Sequence, residues 1–268
     1  MTAERYWLGD SPPEVEHLLR QAEVYAAEAD ELLDRIGLAE GASAIDVACG
    51  AFGILPLLRS RVGDSGRVVG LDLEPALLAV ARQLADQHGL KIETVQADAT
   101  GTGLPADAFD LVHERTLLLN IANPQDVVAE MTRLARPGGI VALQEPDSSS
   151  WVCDPPHPAW ELLCGELINV YARSGKNFEI GRQAARLLRA AGLSDVQVRA
   201  TALATVPGEY YHTFLLTLTG LLREQILGGG SVTGDQFDSG TAELAEHLST
   251  PGALTCQPIM WQAWGTKP

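Results

Sequence analysis

The chain has 268 residues, 46% of them hydrophobic, with 26 glycines and 15 prolines, enough material for one large α/β domain with insertions. A net charge of −16 and a pI of about 4.7 repel a polyphosphate, so neither RNA nor DNA is expected as a partner. The first residues carry acids and lack the basic segment and apolar core of a signal peptide, and no apolar run approaches the ~18 residues of a membrane span, so a cytoplasmic protein without a membrane partner is expected.

Ser11, Pro12, Pro13 and Glu14 form a capping box with proline at the first helical position. Val15, Leu18, Leu19, Ala22, Tyr25, Ala29, Leu32, Leu33 and Ile36 follow at helical spacing and Gly37 closes the run. This predicts a long amphipathic helix, whole or broken in two. Strands are predicted over 44–48, 67–72, 91–97, 109–113, 139–145, 195–202 and 255–264. Helical patterns fall between them at Leu77, Ala81, Leu84 and His88, at Asn123 to Ala135 behind an Asn-Pro cap, and over 184–191 before Gly192.

The start of this alternation is the most specific part of the chain. The first strand runs through Asp46 into a turn of small residues, Ala48, Cys49, Gly50, Ala51 and Gly53, and the second strand ends in Asp72. Small residues let backbone N–H groups approach a ligand, and an acid about 20 residues beyond the turn is placed to accept ribose hydroxyls. This reads as the nucleoside-binding half of a doubly wound sheet, with right-handed crossovers making the first five strands parallel.

The motifs YWLG at 6–9, DVACGAFGILPLL at 46–58, HERTLLLNI at 113–121, LARPGGIVALQEPD at 134–147 and WQAWGTKP at 261–268 resemble the class I S-adenosylmethionine-dependent methyltransferases, more narrowly an actinobacterial small-molecule group. The resemblance covers about 40–147 and resumes at 180–198 and 254–268. It implies a seven-stranded, mostly parallel Rossmann-like sheet of order 3-2-1-4-5-7-6, the seventh strand antiparallel. The expected organisation is an N-terminal helical lid (1–38), a cofactor-binding core (39–147), a cap insertion (148–180), a core continuation (181–206), a second cap insertion (207–252) and a final core strand (253–268).

S-adenosylmethionine is the implied cofactor. The resemblance places Asp46, Ala48, Cys49 and Gly50 at its methionine and ribose end, Asp72 on the ribose hydroxyls, Leu73 on the adenine face, and Asp98 with the Ala99 amide on the adenine edge. The backbone of His113, and Tyr6, Gln21 and Tyr25 from the lid, are further contacts, although Tyr25 reads equally as core and Gln21 as surface. The motif departs from the common form in carrying Ala48 for a glycine and Phe52 at a position often small.

Methyl transfer from a sulfonium is an in-line displacement that needs chiefly near-attack geometry. If a base takes part, His113 is the first choice and His157 the second. Glu114, Trp151, Phe178, Tyr210 and His212 are expected to line the acceptor pocket, with Trp160 as a further wall residue for an aromatic or prenyl-like acceptor and Tyr211 as a further residue to orient a polar one. Glu114 and Arg115 are expected to pair with each other or with flanking segments. Glu145 and Asp147 lack a further matched ligand, so no metal is expected. Cys49, Cys153, Cys164 and Cys256 show no metal or disulfide spacing and read as reduced thiols. A small-molecule acceptor is the expected partner, and a homo-oligomer is compatible with the sequence. A nicotinamide dehydrogenase lacks its Tyr-x-x-x-Lys, since Tyr171 and Lys176 miss the spacing by one residue. A cyclase or binding protein that retains the cofactor without transferring its methyl stays open as an alternative.

Overall fold

In the computed structural model, which describes residues 12–268, the chain passes through α1 (Pro12–Val24), α2 (Ala26–Ile36), β1 (Ser43–Val47), α3 (Leu55–Val62), β2 (Arg67–Asp72), α4 (Pro75–Gln87), β3 (Glu93–Gln96), β4 (Phe109–Arg115), α5 (Pro124–Leu134) and β5 (Ala135–Asp147). It continues through β6 (Val152–Asp154), α6 (Pro158–Arg173), α7 (Ala184–Ala190), β7 (Ser194–Thr201), β8 (Ala204–Thr205), α8 (Phe214–Leu221), α9 (Arg223–Gly228), α10 (Gly234–Leu248), β9 (Leu254–Cys256) and β10 (Ile259–Thr266).

Strands β3, β2, β1, β4 and β5 lie parallel, and β10 runs antiparallel between β5 and β7. This is the expected order. The central strands are apolar on both faces because helices cover both. Ala44, Val68, Leu111 and Ala142 pack with Leu32, Leu33, Leu55 and Leu58 on one side. Ile45, Val69, Val112 and Leu143 pack with Met131, Leu134, Leu163 and Leu188 on the other. The two-residue period then assigns Asp46, His113 and Gln144 to the α2–α3 face, and Glu114 and Glu145 to the opposite one.

The N-terminal helix takes the broken form, with the break at Tyr25. Three expectations change. The run predicted over 255–264 splits into β9 and β10 around Gln257 and Pro258, because proline cannot donate to a continuous ladder. Segments β6, β9 and β8 form a second, three-stranded sheet that the sequence pattern did not reveal. Strand β5 begins earlier, with a register shift near Pro137 against β4. Among the described residues no helix is long and apolar enough to cross a membrane, and the four cysteines are free thiols.

Candidate active site

The turn after β1 is held by its own acids. Asp46 Oδ2 accepts the Ile54 N–H at 3.0 Å, fixing the entrance to α3, and the Cys49 N–H donates to Leu71 O at 2.9 Å. Ala48, Gly50 and Gly53 all have positive φ. A side chain at Gly53 would run into the Asp46 carboxylate and the Cys49 carbonyl, so this glycine is required sterically as well as conformationally. Phe52 stacks on His88, ring centres 6.2 Å apart, and is absent from the cleft wall.

Asp72, at the end of β2, accepts the Gly50 N–H on Oδ2 and the Glu74 N–H on Oδ1, both at 2.9 Å. Burial raises its carboxyl above the usual range, and the donated amides oppose that rise. Asp98 Oδ1 accepts both the amide and the hydroxyl of Thr100, forming an exposed corner beside Ala99.

These groups border a cleft of ≈ 680 Å³, within the usual range of about 300–1,000 Å³ for small-molecule sites. It opens at the carboxyl ends of the parallel strands, where open α/β sheets bind ligands. One part of its wall holds Asp46, Ala48, Cys49, Gly50, Asp72 and Leu73, continued by Asp98, Ala99 and Gln21. The other holds Trp151, Tyr171, Phe178, Tyr211, Phe214 and Leu218. Tyr171 and Phe178 stack at 4.2 Å, and Trp151 meets Phe214 at 5.9 Å. Tyr25 also lines it. Tyr6 lies outside the described residues.

Five expected site residues lie elsewhere. His113 is fully buried; its Nδ1 lies 2.7 Å from Asp46 Oδ1 and its Nε2 2.8 Å from Gln144 Oε1, so neither ring nitrogen is presented to a reactant. His157 caps α6, its Nδ1 accepting the Ala159 N–H at 3.2 Å, and packs against His247 outside the cleft wall. His212 is buried within the second insertion, with ring nitrogens 3.1 Å from Thr205 O and 2.9 Å from Leu248 O. Tyr210 faces outward, 42% exposed, with its hydroxyl 3.1 Å from His17 Nδ1. The neighbouring Tyr211 takes the cleft position instead. Trp160 stands behind Trp151, its Nε1–H donating to Trp151 O at 3.3 Å.

Glu114, a sixth residue expected in the pocket wall, is fully buried and supports the site from behind instead. Its Oε2 accepts the Leu117 N–H at 3.1 Å, while Glu145 accepts the Leu118 N–H at 2.5 Å and the Leu119 N–H at 3.4 Å. These amides belong to the turn whose Thr116, Leu117 and Leu119 line the cleft. Burial raises both carboxyls, Glu145 to about 7, and the charge of Glu145 raises Glu114 further, so the pair holds a proton between its carboxyls at neutral pH.

Arg115 is the residue the sequence reading undervalued. It points to the opposite face of β4 from Glu114, so the expected pair does not form. Its side chain lines the cleft, and its Nη1 is buried with no hydrogen-bond partner among the described residues. Burial lowers its affinity for its proton; Asp46 is the leading charge opposing that. The signal was a cation in the last position of an otherwise buried strand, FDLVHER. Tyr171, Lys176, Phe214, Gln257 and Met260 also line the cleft; only the folded chain brings them there.

The sequence profile of the family described as "Methyltransferase domain" matches residues 38–187, more than half the chain. An uncharacterised 37.1 kDa protein in transposon Tn4556 of Streptomyces fradiae is 31% identical over 185 residues, 68% of this chain and 53% of that one. A 2-phytyl-1,4-naphtoquinone methyltransferase of Thermosynechococcus vestitus is 40% identical over 111 residues, 41% of this chain and 49% of its own. The chain thus spans about half the length of these curated relatives. A solved structure of Haemonchus contortus phosphoethanolamine N-methyltransferase 2, in complex with phosphomonomethylethanolamine and S-adenosylhomocysteine, superposes with a TM-score of 0.61 at 15% identity, over 100% of this chain and 61% of that one. That likeness is one of fold. The profile match, the sheet order and the acid-locked turn place the chain in the methyltransferase domain family, the class I group whose cofactor is S-adenosylmethionine.

Proposed function

We propose that this protein transfers a methyl group from S-adenosylmethionine to a small, largely apolar or aromatic metabolite of secondary metabolism, chiefly by holding donor and acceptor in line and without a metal. The observation that carries this reading is the division of the cleft. The turn and strand-end acids form one part of its wall, and aromatic side chains from the inserted segments form the other.

The residues fit the cofactor. Asp72 offers carboxylate oxygens to the ribose hydroxyls, Leu73, 38% exposed, offers an apolar surface to adenine, and Asp98 with the Ala99 amide faces the adenine edge. The guanidinium of Arg115, whose Nη1 is buried without a hydrogen-bond partner among the described residues, suits the α-carboxylate of the methionine part. The cofactor supplies an already activated methyl group. The chain supplies orientation: the turn amides and Asp72 fix one reactant, and the walls at Trp151, Tyr171 and Phe178 exclude water from the other.

The lid and cap boundaries fit the same reading. His17, Leu18 and Gln21 of α1 line the cleft together with residues of both insertions. Among the described residues no cluster of three His, Cys, Asp or Glu side chains is arranged to hold a metal ion. The naphthoquinone named for one relative supports an aromatic acceptor here. Incubation with methyl-labelled cofactor and a panel of hydroxylated and non-hydroxylated aromatic compounds should yield a labelled product and S-adenosylhomocysteine in equal amounts. Cofactor binding without transfer to any member of the panel would favour the non-methylating alternative.

A further inference from the structure

The second sheet carries a pair of positions that the methyl-donor site does not use. Strands β6 and β9 are antiparallel, with Val152 opposite Cys256 and Cys153 opposite Thr255. Trp151 and Gln257 immediately flank the last pair of this ladder, and both line the cleft. The Ile259 N–H donates to Ser150 Oγ at 2.7 Å, tying the two segments together just past this point.

Trp151 is 5% exposed and Gln257 is fully buried. The direction of the Gln257 amide is fixed, because its Nε2–H donates to the Tyr211 carbonyl at 2.9 Å, with the Thr255 hydroxyl oxygen 3.3 Å away. A carbonyl oxygen cannot face another carbonyl, so Oε1 takes the other side. There it has no donor among the described residues, and Trp151 Nε1 has no acceptor. Buried polar atoms are nearly always paired. Here one orphan donates only and the other accepts only.

A hydroxyl group satisfies both, accepting from the indole N–H while donating to the amide oxygen. Phe214, its ring tilted against Trp151 at 5.9 Å, and Met260 supply apolar surface in the same cleft. We propose that Trp151 and Gln257 form a hydroxyl-recognition pair, and that the methyl acceptor is a hydroxyl-bearing aromatic compound which this pair orients. The proposal rests on the methyltransferase reading and specifies its acceptor class. Neither side chain takes up a proton in this pH range, so both act as positioning and specificity residues.

The test uses the full chain saturated with S-adenosylhomocysteine, with 2-naphthol and naphthalene as probes that differ by one hydroxyl. Wild type should bind 2-naphthol at least about tenfold more tightly than naphthalene. Gln257→Leu should bring the ratio to within about twofold. Trp151→Phe should lower the ratio, which cancels the loss of ring contact common to both probes, and it decides the matter if the leucine variant fails to fold. Equal affinity for the two probes, binding of neither, or an undiminished ratio in a folded variant would overturn the pair while leaving cofactor binding intact. Failure of wild type to bind S-adenosylhomocysteine would instead overturn the methyltransferase reading, and the pair with it.

Discussion

His113 and Asp46 lie side by side on β4 and β1, joined by a contact of 2.7 Å between Nδ1 and Oδ1, and Gln144 on β5 closes the row at 2.8 Å from Nε2. The row crosses three adjacent strands beneath the cofactor turn, and Asp46 uses its other oxygen to hold Ile54. His113 therefore serves the geometry of the turn.

His113→Ala is expected to cost about 1–3 kcal/mol of stability, because it strands a buried carboxylate oxygen, with kcat reduced by less than about tenfold per folded molecule. His157→Ala removes a helix cap and should cost about 0.5–2 kcal/mol, with kcat unchanged. Denaturant midpoints and single-turnover rates over pH 6 to 9 check both. A loss of about a hundredfold or more in kcat at unchanged stability would restore histidine as the base.

The Glu114–Glu145 pair predicts a pH dependence of stability. Its folded-state affinity for a proton lies above that of an unfolded glutamate, with Glu145 at about 7. Above about pH 4 the folded chain holds more protons than the unfolded one, so this contribution is complete below that point and is lost as pH rises, the Glu145 part through about pH 7 and the Glu114 part after it. Glu114→Gln supplies the shared hydrogen permanently and should raise the urea midpoint at pH 8 and flatten the slope between pH 5 and 7.5. Glu145→Gln should not substitute for it, because the two oxygens of Glu145 accept the Leu118 and Leu119 N–H groups and an amide N–H₂ would face one of them. Equal slopes in wild type and Glu114→Gln would refute the shared proton.

Removal of residues 1–24 tests the lid. Helix α2 buries Ala29, Leu32 and Leu33 in the core and is retained. Helix α1 contributes His17, stacked 5.0 Å from Phe214, and Leu18, which lies over Gly50. The truncated chain should keep a cooperative thermal transition, bind the cofactor at least about tenfold more weakly as its cover is lost, and show no turnover. Normal methylation by the truncated chain would assign α1 another role.

The nucleotide half was legible because each of its signals is local: apolar strands, small residues where the backbone turns, and acids at Asp46, Asp72 and Asp98. The acceptor half was less so. The phase of β4 could be read from FDLVHER, separating Glu114 from its neighbours, but the flanking of His113 by Asp46 and Gln144 depends on the register of two other strands. Tyr211 rather than Tyr210 enters the cleft because a 3₁₀ turn at Tyr210–Thr213 sets which of the adjacent rings faces inward. Gln257 gains meaning only through contact with Tyr211, 46 residues away, a distance beyond any local pattern.

Calorimetric titration of S-adenosylhomocysteine into wild type, Asp72→Ala and Arg115→Met measures the methyl-donor site itself. Wild type should show one site. Each variant should lose about 1–3 kcal/mol, a ~5- to 150-fold weakening, because a ribose hydroxyl or a carboxylate is left without its partner. Unchanged affinity in both variants, or preferential binding of NAD by wild type, would contradict the account.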